Sequence, residues 1–234
     1  MNGGRVAAFF DIDRTLLDVN SAELWVRHQW RQGKMSASWL ARSILWLVQY
    51  RFALLDFEAV TERAASSYVG VSFASVADEV RAWFDAEVAA AICVEGPAKI
   101  AEHRAAGHEI VILTSGTRFV ADLVAGLVGV DDVLCTELEV DGGGNLTGRH
   151  LPPACGGAGK VTRAEAFAAE RGVDLDASYF YSDSFSDLPM LARVGHPRVI
   201  NPDGRLRRYA RRRGWAIETW RAPGGGSPAR APGA

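Results

Sequence analysis

The run Val6-Ala7-Ala8-Phe9-Phe10 is wholly apolar and breaks directly into Asp11-Ile12-Asp13-Arg14-Thr15-Leu16-Leu17. A short apolar run bounded by Gly3-Gly4 and ending in acids predicts a buried parallel strand. Open α/β sheets place their ligands at the carboxyl ends of such strands. Asp11 and Asp13 are two apart, so on a continuing extended path their side chains leave the same side of the chain. Like charges that close repel, so the pair calls for a cation, a shared proton or a chemical role. A solvated pair in a turn is the plainer alternative; the flanking Phe9, Phe10, Leu16 and Leu17 argue against it.

Three later segments carry matching groups. Ile110-Val111-Ile112-Leu113 reads as a second strand and ends in Thr114-Ser115-Gly116-Thr117. Gly156-Gly157-Ala158-Gly159-Lys160 sets one Lys behind a flexible glycine turn, at the head of a helix expected over 160–171 and stopped by Gly172. Tyr179-Phe180-Tyr181-Ser182 reads as a third strand running into Asp183 and Asp187. Helices are expected over 97–106 and 119–127, a short strand over 133–135, and a hairpin over 137–149 with a flexible tip at Asp141-Gly142-Gly143-Gly144-Asn145. Such alternation predicts a parallel sheet covered by helices on both faces. Residues 18–92 interrupt it with helical signal, including a start at Ser75 with Asp78 and Glu79 before Val80 to Val88.

A carboxylate pair, a hydroxyl, a Lys and a second carboxylate pair, in this order, resemble the four motifs of the haloacid dehalogenase superfamily of phosphohydrolases. Asp11-Ile12-Asp13-Arg14-Thr15 is similar to the first motif, Ser115 to the second, Lys160 to the third, and Asp183 with Asp187 to the fourth. The stretch from Tyr181 to Leu191 resembles the subfamily containing phosphoserine phosphatases. The resemblance implies an α/β fold, a Rossmann-like doubly wound parallel sheet with a helical cap domain inserted after the first strand. The core would be 1–17 and 93–220, the cap 18–92, and 221–234 a disordered tail rich in Gly, Pro and Ala.

The resemblance also implies a Mg²⁺-dependent phosphatase. Asp11 would be the nucleophile, forming an aspartyl-phosphate, and Asp13 the general acid and base. Ser115, with Gly116, and Lys160 would hold the phosphoryl oxygens. Asp11, the Asp13 carbonyl and Asp183 would bind Mg²⁺, with Asp187 orienting Lys160 or a metal-bound water. Arg14 stands where many relatives have Gly; because Arg and Lys also occur there in related chains, no backbone obstacle is expected. In phosphoserine phosphatases a Glu after the first motif binds the serine amino group; the matching position here is Asn20, and Arg63 is an approximate counterpart of the cap Arg. The neutral Asn20 argues against phosphoserine itself and leaves another small organic phosphate, while the aromatic, apolar stripe of the expected cap (Trp39 to Leu55, with Trp25 and Trp30) points toward a lipid head-group phosphate.

Each residue has a plainer reading. Ser115 could cap a helix while Thr114 or Thr117 serves phosphate, and Asp183 and Asp187 could cap the helix that follows them. A nucleotide-binding P-loop fails, because Ala154 stands where Gly is required and Val161 follows the Lys. A non-catalytic phosphate-binding module with the same fold is the alternative from another class.

With 234 residues and a net charge of -2, the chain can bury a large core and gives no reason to expect nucleic acid. Cys93, Cys135 and Cys155 are odd in number, so reduced thiols in a cytoplasmic protein are expected; no signal-peptide pattern is present. The five His residues form no ligand pattern. Leu40, Ile44, Leu47, Val48 and Leu55, with Trp39, Trp46 and Phe52, form an apolar stripe, but Arg42, Gln49 and Arg51 argue against a membrane span. Arg205, Arg207, Arg208, Arg211, Arg212 and Arg213 predict a basic helix: a solvated face, or peripheral contact with anionic membrane. The sequence leaves the oligomeric state open.

Overall fold

The structure, a computed structural model, describes residues 4–34 and 57–224. The apolar stripe at 39–55 and the final residues 225–234 lie outside the described residues. The elements in chain order begin with β1 (Ala7–Phe10), α1 (Ser21–Arg31), α2 (Phe57–Ala65), α3 (Phe73–Glu87) and α4 (Glu95–Ala105). They continue with β2 (Glu109–Thr117), α5 (Arg118–Val128), β3 (Asp132–Thr136) and a hairpin of β4 (Leu138–Val140) and β5 (Leu146–His150). The rest is α6 (Ala158–Arg171), β6 (Tyr179–Ser182), α7 (Leu188–Arg193), β7 (His196–Ile200), α8 (Gly204–Arg213) and β8 (Ala216–Glu218).

The main sheet has six strands in the order β3-β2-β1-β6-β7-β8, all parallel. The chain first winds from β1 outward through β2 to β3, then returns to the other side of β1 at β6. That reversal puts the topological switch point between β1 and β6, where doubly wound sheets bind their ligands. Ala7, Ala8, Phe9 and Phe10 are all fully buried, as a strand covered on both faces requires. Ala8 and Phe10 face one apolar cluster, Ala7 and Phe9 the other, so the period of two divides β1 between the two cores.

The inserted helix α3 shares the first of these cores. Val76, Val80, Trp83 and Phe84 pack in one cluster with Phe10, Leu16, Leu17 and Ile112. Its start differs from the expectation: Ser72, not Ser75, is the N-cap, and its side chain accepts from the Ser75 N–H. Both serines can cap; Ser72 wins because its flanks pair with the hairpin, through Phe73 N to Gly144 O at 3.0 Å and Leu146 N to Val71 O at 2.9 Å. The same pairing corrects the hairpin tip. Asp141 Oδ1 accepts from Gly143 and Asn145 N–H groups, each at 2.9 Å, so the glycines form a held turn rather than a loose one.

One further expectation changes. Arg221 and Ala222, assigned to the tail, are tied down: Arg221 N donates to Glu95 Oε2 at 2.9 Å and Ala222 N to Asp18 Oδ2 at 3.3 Å. Trp220, 1% exposed, anchors that segment against Tyr181. All three Cys are buried and unpaired, as expected, and burial pushes the Cys93 and Cys155 thiols up to about 12. In α8 the arginines are exposed, while Leu206 and Ala210 are buried against the sheet. No helix among the described residues is long and apolar enough to cross a membrane.

Candidate active site

β1 ends at Phe10, and the next residue, Asp11, still donates its N–H to Tyr181 O of β6 at 2.9 Å. That bond aligns the carboxyl ends of β1 and β6, bringing Asp11 beside the loop that carries Asp183. The chain then leaves the sheet: Asp13 Oδ1 accepts from Ser21 N at 2.8 Å, the first N–H of α1. A carboxylate at a helix N-terminus is favoured by the dipole and the unpaired N–H groups there.

Arg14 between them takes φ 55, in the left-handed region. The backbone obstacle discounted from the sequence is therefore real. It is held by Arg14 N to Val19 O at 3.0 Å, by Asn201 Nδ2 to Arg14 O at 3.1 Å, and by the guanidinium on Glu23 at 3.2 Å. A left-handed non-Gly residue costs about 1–2 kcal/mol. Arg14→Gly is therefore expected to be more stable than Arg14→Ala by about 1 kcal/mol, the reverse of the usual order. Urea denaturation of the two variants tests this; an Ala variant equal to or above Gly sinks it.

Lys160 is the centre of the site. It is 1% exposed, and its Nζ donates to Asp11 Oδ1 at 3.0 Å and to Asp187 Oδ2 at 2.7 Å. Glycines deliver it there by close approach, not by flexibility. A Cβ on Gly159 would stand 1.9 Å from the Ala154 carbonyl oxygen, and Gly157 has φ 52. The helical insert braces the same loop, since the Glu58 carboxylate on α2 accepts from Ala154 N at 2.8 Å and meets His150 Nε2.

Asp187 occupies the N-cap position of α7 but makes no side-chain capping bond there; its carboxylate turns inward to Lys160, while Ser184 caps the short 3-10 turn Phe185–Asp187 by accepting from Ser186 N. Ser182, which sequence reading passed over, donates to Asp187 Oδ2 at 2.7 Å. Its one signal was a small hydroxyl closing a buried aromatic strand next to Asp183. The other Asp187 oxygen, Oδ1, is buried without a hydrogen-bond partner among the described residues.

Ser115 and Gly116 lie at the end of β2, the strand next to β1. Gly116 N donates to Thr114 Oγ1 at 3.2 Å, so the buried Thr114 hydroxyl is engaged within its own turn. Asn20 Oδ1 accepts from Glu23 N at 2.9 Å and caps α1, leaving its amide nitrogen as the group it could offer. Arg63 is exposed in the last turn of α2.

The electrostatics are those of crowded acids. Burial pushes Asp11 up to about 7; Lys160 pulls it down, and Asp187 and Asp13 push it up. Asp183 is raised well above the carboxylate range by burial, then by the charges of Asp11, Asp187 and Asp13. Asp13 is raised by burial, against its bond from Ser21. One ammonium therefore does not neutralise the cluster, and a hard divalent cation fits the surplus of carboxylate oxygen. No three His, Cys, Asp or Glu side chains among the described residues close into a full metal cage. Mg²⁺ does not need one, since it binds through one or two carboxylates and keeps waters and substrate phosphate as its other ligands.

Residues 8–192 match the haloacid dehalogenase-like hydrolase family. A histidinol-phosphatase of Neisseria meningitidis is 29% identical, over 90% of this chain and 96% of its own. The phosphoserine phosphatase SerB1 of Mycobacterium tuberculosis is 34% identical, over 92% of this chain and 71% of its own. A Bordetella pertussis Tohama I protein of unknown function superposes with a TM-score of 0.82 at 29% identity, covering 92% of this chain and 98% of that one. A phosphoserine phosphatase solved as a phospho-aspartyl intermediate analogue has the same fold, with a TM-score of 0.68 at 16% identity, covering 92% and 93% of the two chains. A doubly wound sheet whose switch point carries these acids and a buried Lys, together with phosphatase relatives along nearly its whole length, places the chain in the haloacid dehalogenase-like hydrolase family, as a phosphatase.

Proposed function

We propose that the protein hydrolyses a small phosphomonoester of an amino alcohol through an aspartyl-phosphate on Asp11, with Mg²⁺ bound by Asp11, the Asp13 carbonyl and Asp183. The observation that carries the reading is the buried Lys160, paired at once with Asp11 and Asp187 at the switch point. Asp11 attacks phosphorus in line, and the bond to the leaving oxygen breaks as Asp13 delivers a proton to it. Asp13 then takes a proton from the water that cleaves the acyl phosphate, returning Asp11 and free phosphate. Charge spreads over the equatorial oxygens of the transferring group, so placed donors dominate catalysis. Lys160 and the Ser115 hydroxyl are those donors here, and Asp187 with Ser182 keeps the ammonium aimed at the site. Bound Mg²⁺ supplies positive charge that keeps Asp11 ionised and lets it meet a dianionic ester.

The amino-alcohol class rests on the two relatives whose names specify histidinol phosphate and phosphoserine as substrates. The helices between β1 and β2 are proposed as the cap that selects the alcohol. The apolar stripe that suggested a lipid lies outside the described residues, so the lipid reading gains no support. The test is phosphate release from para-nitrophenyl phosphate, histidinol phosphate, phosphoserine and a lysophosphatidate, with Mg²⁺ and with chelator. Mg²⁺-dependent turnover that favours an amino-alcohol phosphate supports the reading. A folded, Mg²⁺-supplied protein inert toward all four sinks it, and preference for the lysophosphatidate sinks the substrate class.

A further inference from the structure

Thr136 closes β3 with 1% exposure, and its hydroxyl joins two distant loops. Oγ1 donates to the Ser115 carbonyl at 3.0 Å and accepts from the Cys155 N–H at 3.0 Å. Ser115 lies where the β2–β3 register breaks, between Leu113 and Thr117. Cys155 opens the glycine turn to Lys160, which is tightened by Gly156 N to Ala154 O and Gly159 N to Gly156 O, at 2.9 and 2.8 Å. The hydroxyl is thus the shared anchor of the segments presenting the Ser115 hydroxyl and the Lys160 ammonium.

We propose that Thr136 is a positioning residue that sets the spacing between these two phosphoryl-oxygen donors. The inference rests on the proposed function and adds to it a residue that touches no substrate. A hydroxyl suits the task because it donates and accepts at once. No apolar side chain of the same shape can, and a buried carbonyl and amide would then lose their partner. Donor placement matters most when charge develops on the transferring group, so the loss should fall on kcat more than on KM. A misplacement of about 1 Å costs on the order of 10²-fold in rate.

The experiment compares Thr136→Val, which keeps the shape without the hydroxyl, with Thr136→Ser, which keeps the hydroxyl without the methyl. Thr136→Cys, with a weak donor of similar size, is read instead if the Val variant does not fold. The expected result is a roughly 10- to 100-fold fall in kcat for Val, with KM within about threefold, and Ser restored to within about threefold of the parent. Wild-type kcat per folded molecule in the Val variant (or in Cys, if Val does not fold), or a Ser variant as impaired as it, overturns the proposal. Failure of the unmodified protein to hydrolyse any phosphomonoester is a different result and counts against the proposed function.

Discussion

Asp11→Asn is expected to lower kcat by about 10⁴-fold or more, and at the same time to make the chelated protein more stable at pH 8 than its parent. The loss follows from removing the nucleophile, for which groups acting as one unit offer no substitute. The gain follows from linkage. Asp11 has a folded pKa of about 7 against 3.8 for the free group, so the folded state holds a proton that the unfolded chain has released. Stability therefore falls as pH rises from about 3.8 to about 7, and the ionised carboxylate stays unfavourable above that. Asn mimics the protonated form and has no such penalty. Urea unfolding in chelator should show the two proteins close at pH 4 and the variant ahead at pH 8, with Mg²⁺ raising the parent selectively. Retained activity removes Asp11 from the nucleophile's role; a variant less stable at pH 8 shows that the bond to Lys160 outweighs burial.

Lys160→Met is expected to be the most destabilising single change in the site. It leaves Asp11 and Asp187 buried without their shared cation, and breaking a buried pair by removing one partner costs about 3–5 kcal/mol. Activity should fall at least about 10²-fold, since a charge on the transferring oxygens is lost. The control is the double variant Lys160→Met with Asp187→Asn. It removes one orphaned charge and should recover part of the stability but none of the activity. Thermal unfolding and phosphate release measured on both separate the two effects. If Lys160→Met unfolds with the parent's midpoint, the ammonium is not the group holding the carboxylates together.

Much of the framework was legible because it is local. β1, the apolar part of β2, and β6 are short apolar runs that close in acids or hydroxyls, and the period of two is visible in the chain itself. From β2 to β6 the order of strands and helices followed from the same runs and their glycine stops, with helix ends moved by one or two residues, as at Glu95 for α4, whereas β7 and β8 were not expected. Asp11, Asp13, Lys160, Asp183 and Asp187 stood out because charged groups beside apolar strands need a reason.

What escaped the sequence is what depends on contacts between distant segments. The sequence pointed to a cap at Ser75; pairing with the hairpin puts it at Ser72. Arg14 draws notice in the sequence only because many relatives have Gly there, and its left-handed φ appears only in the fold; so does the Asn20 oxygen's bond from Glu23 N, which caps α1. Thr136 carries no local signal, because both its partners arrive from about twenty residues away, on either side. Residue types and strand ends thus set which chemistry this chain carries, since hydrophobic periodicity and charge are properties of neighbours along the chain. Which oxygen faces which nitrogen was decided by the fold, because hydrogen bonds and ion pairs depend on distances that only packing supplies.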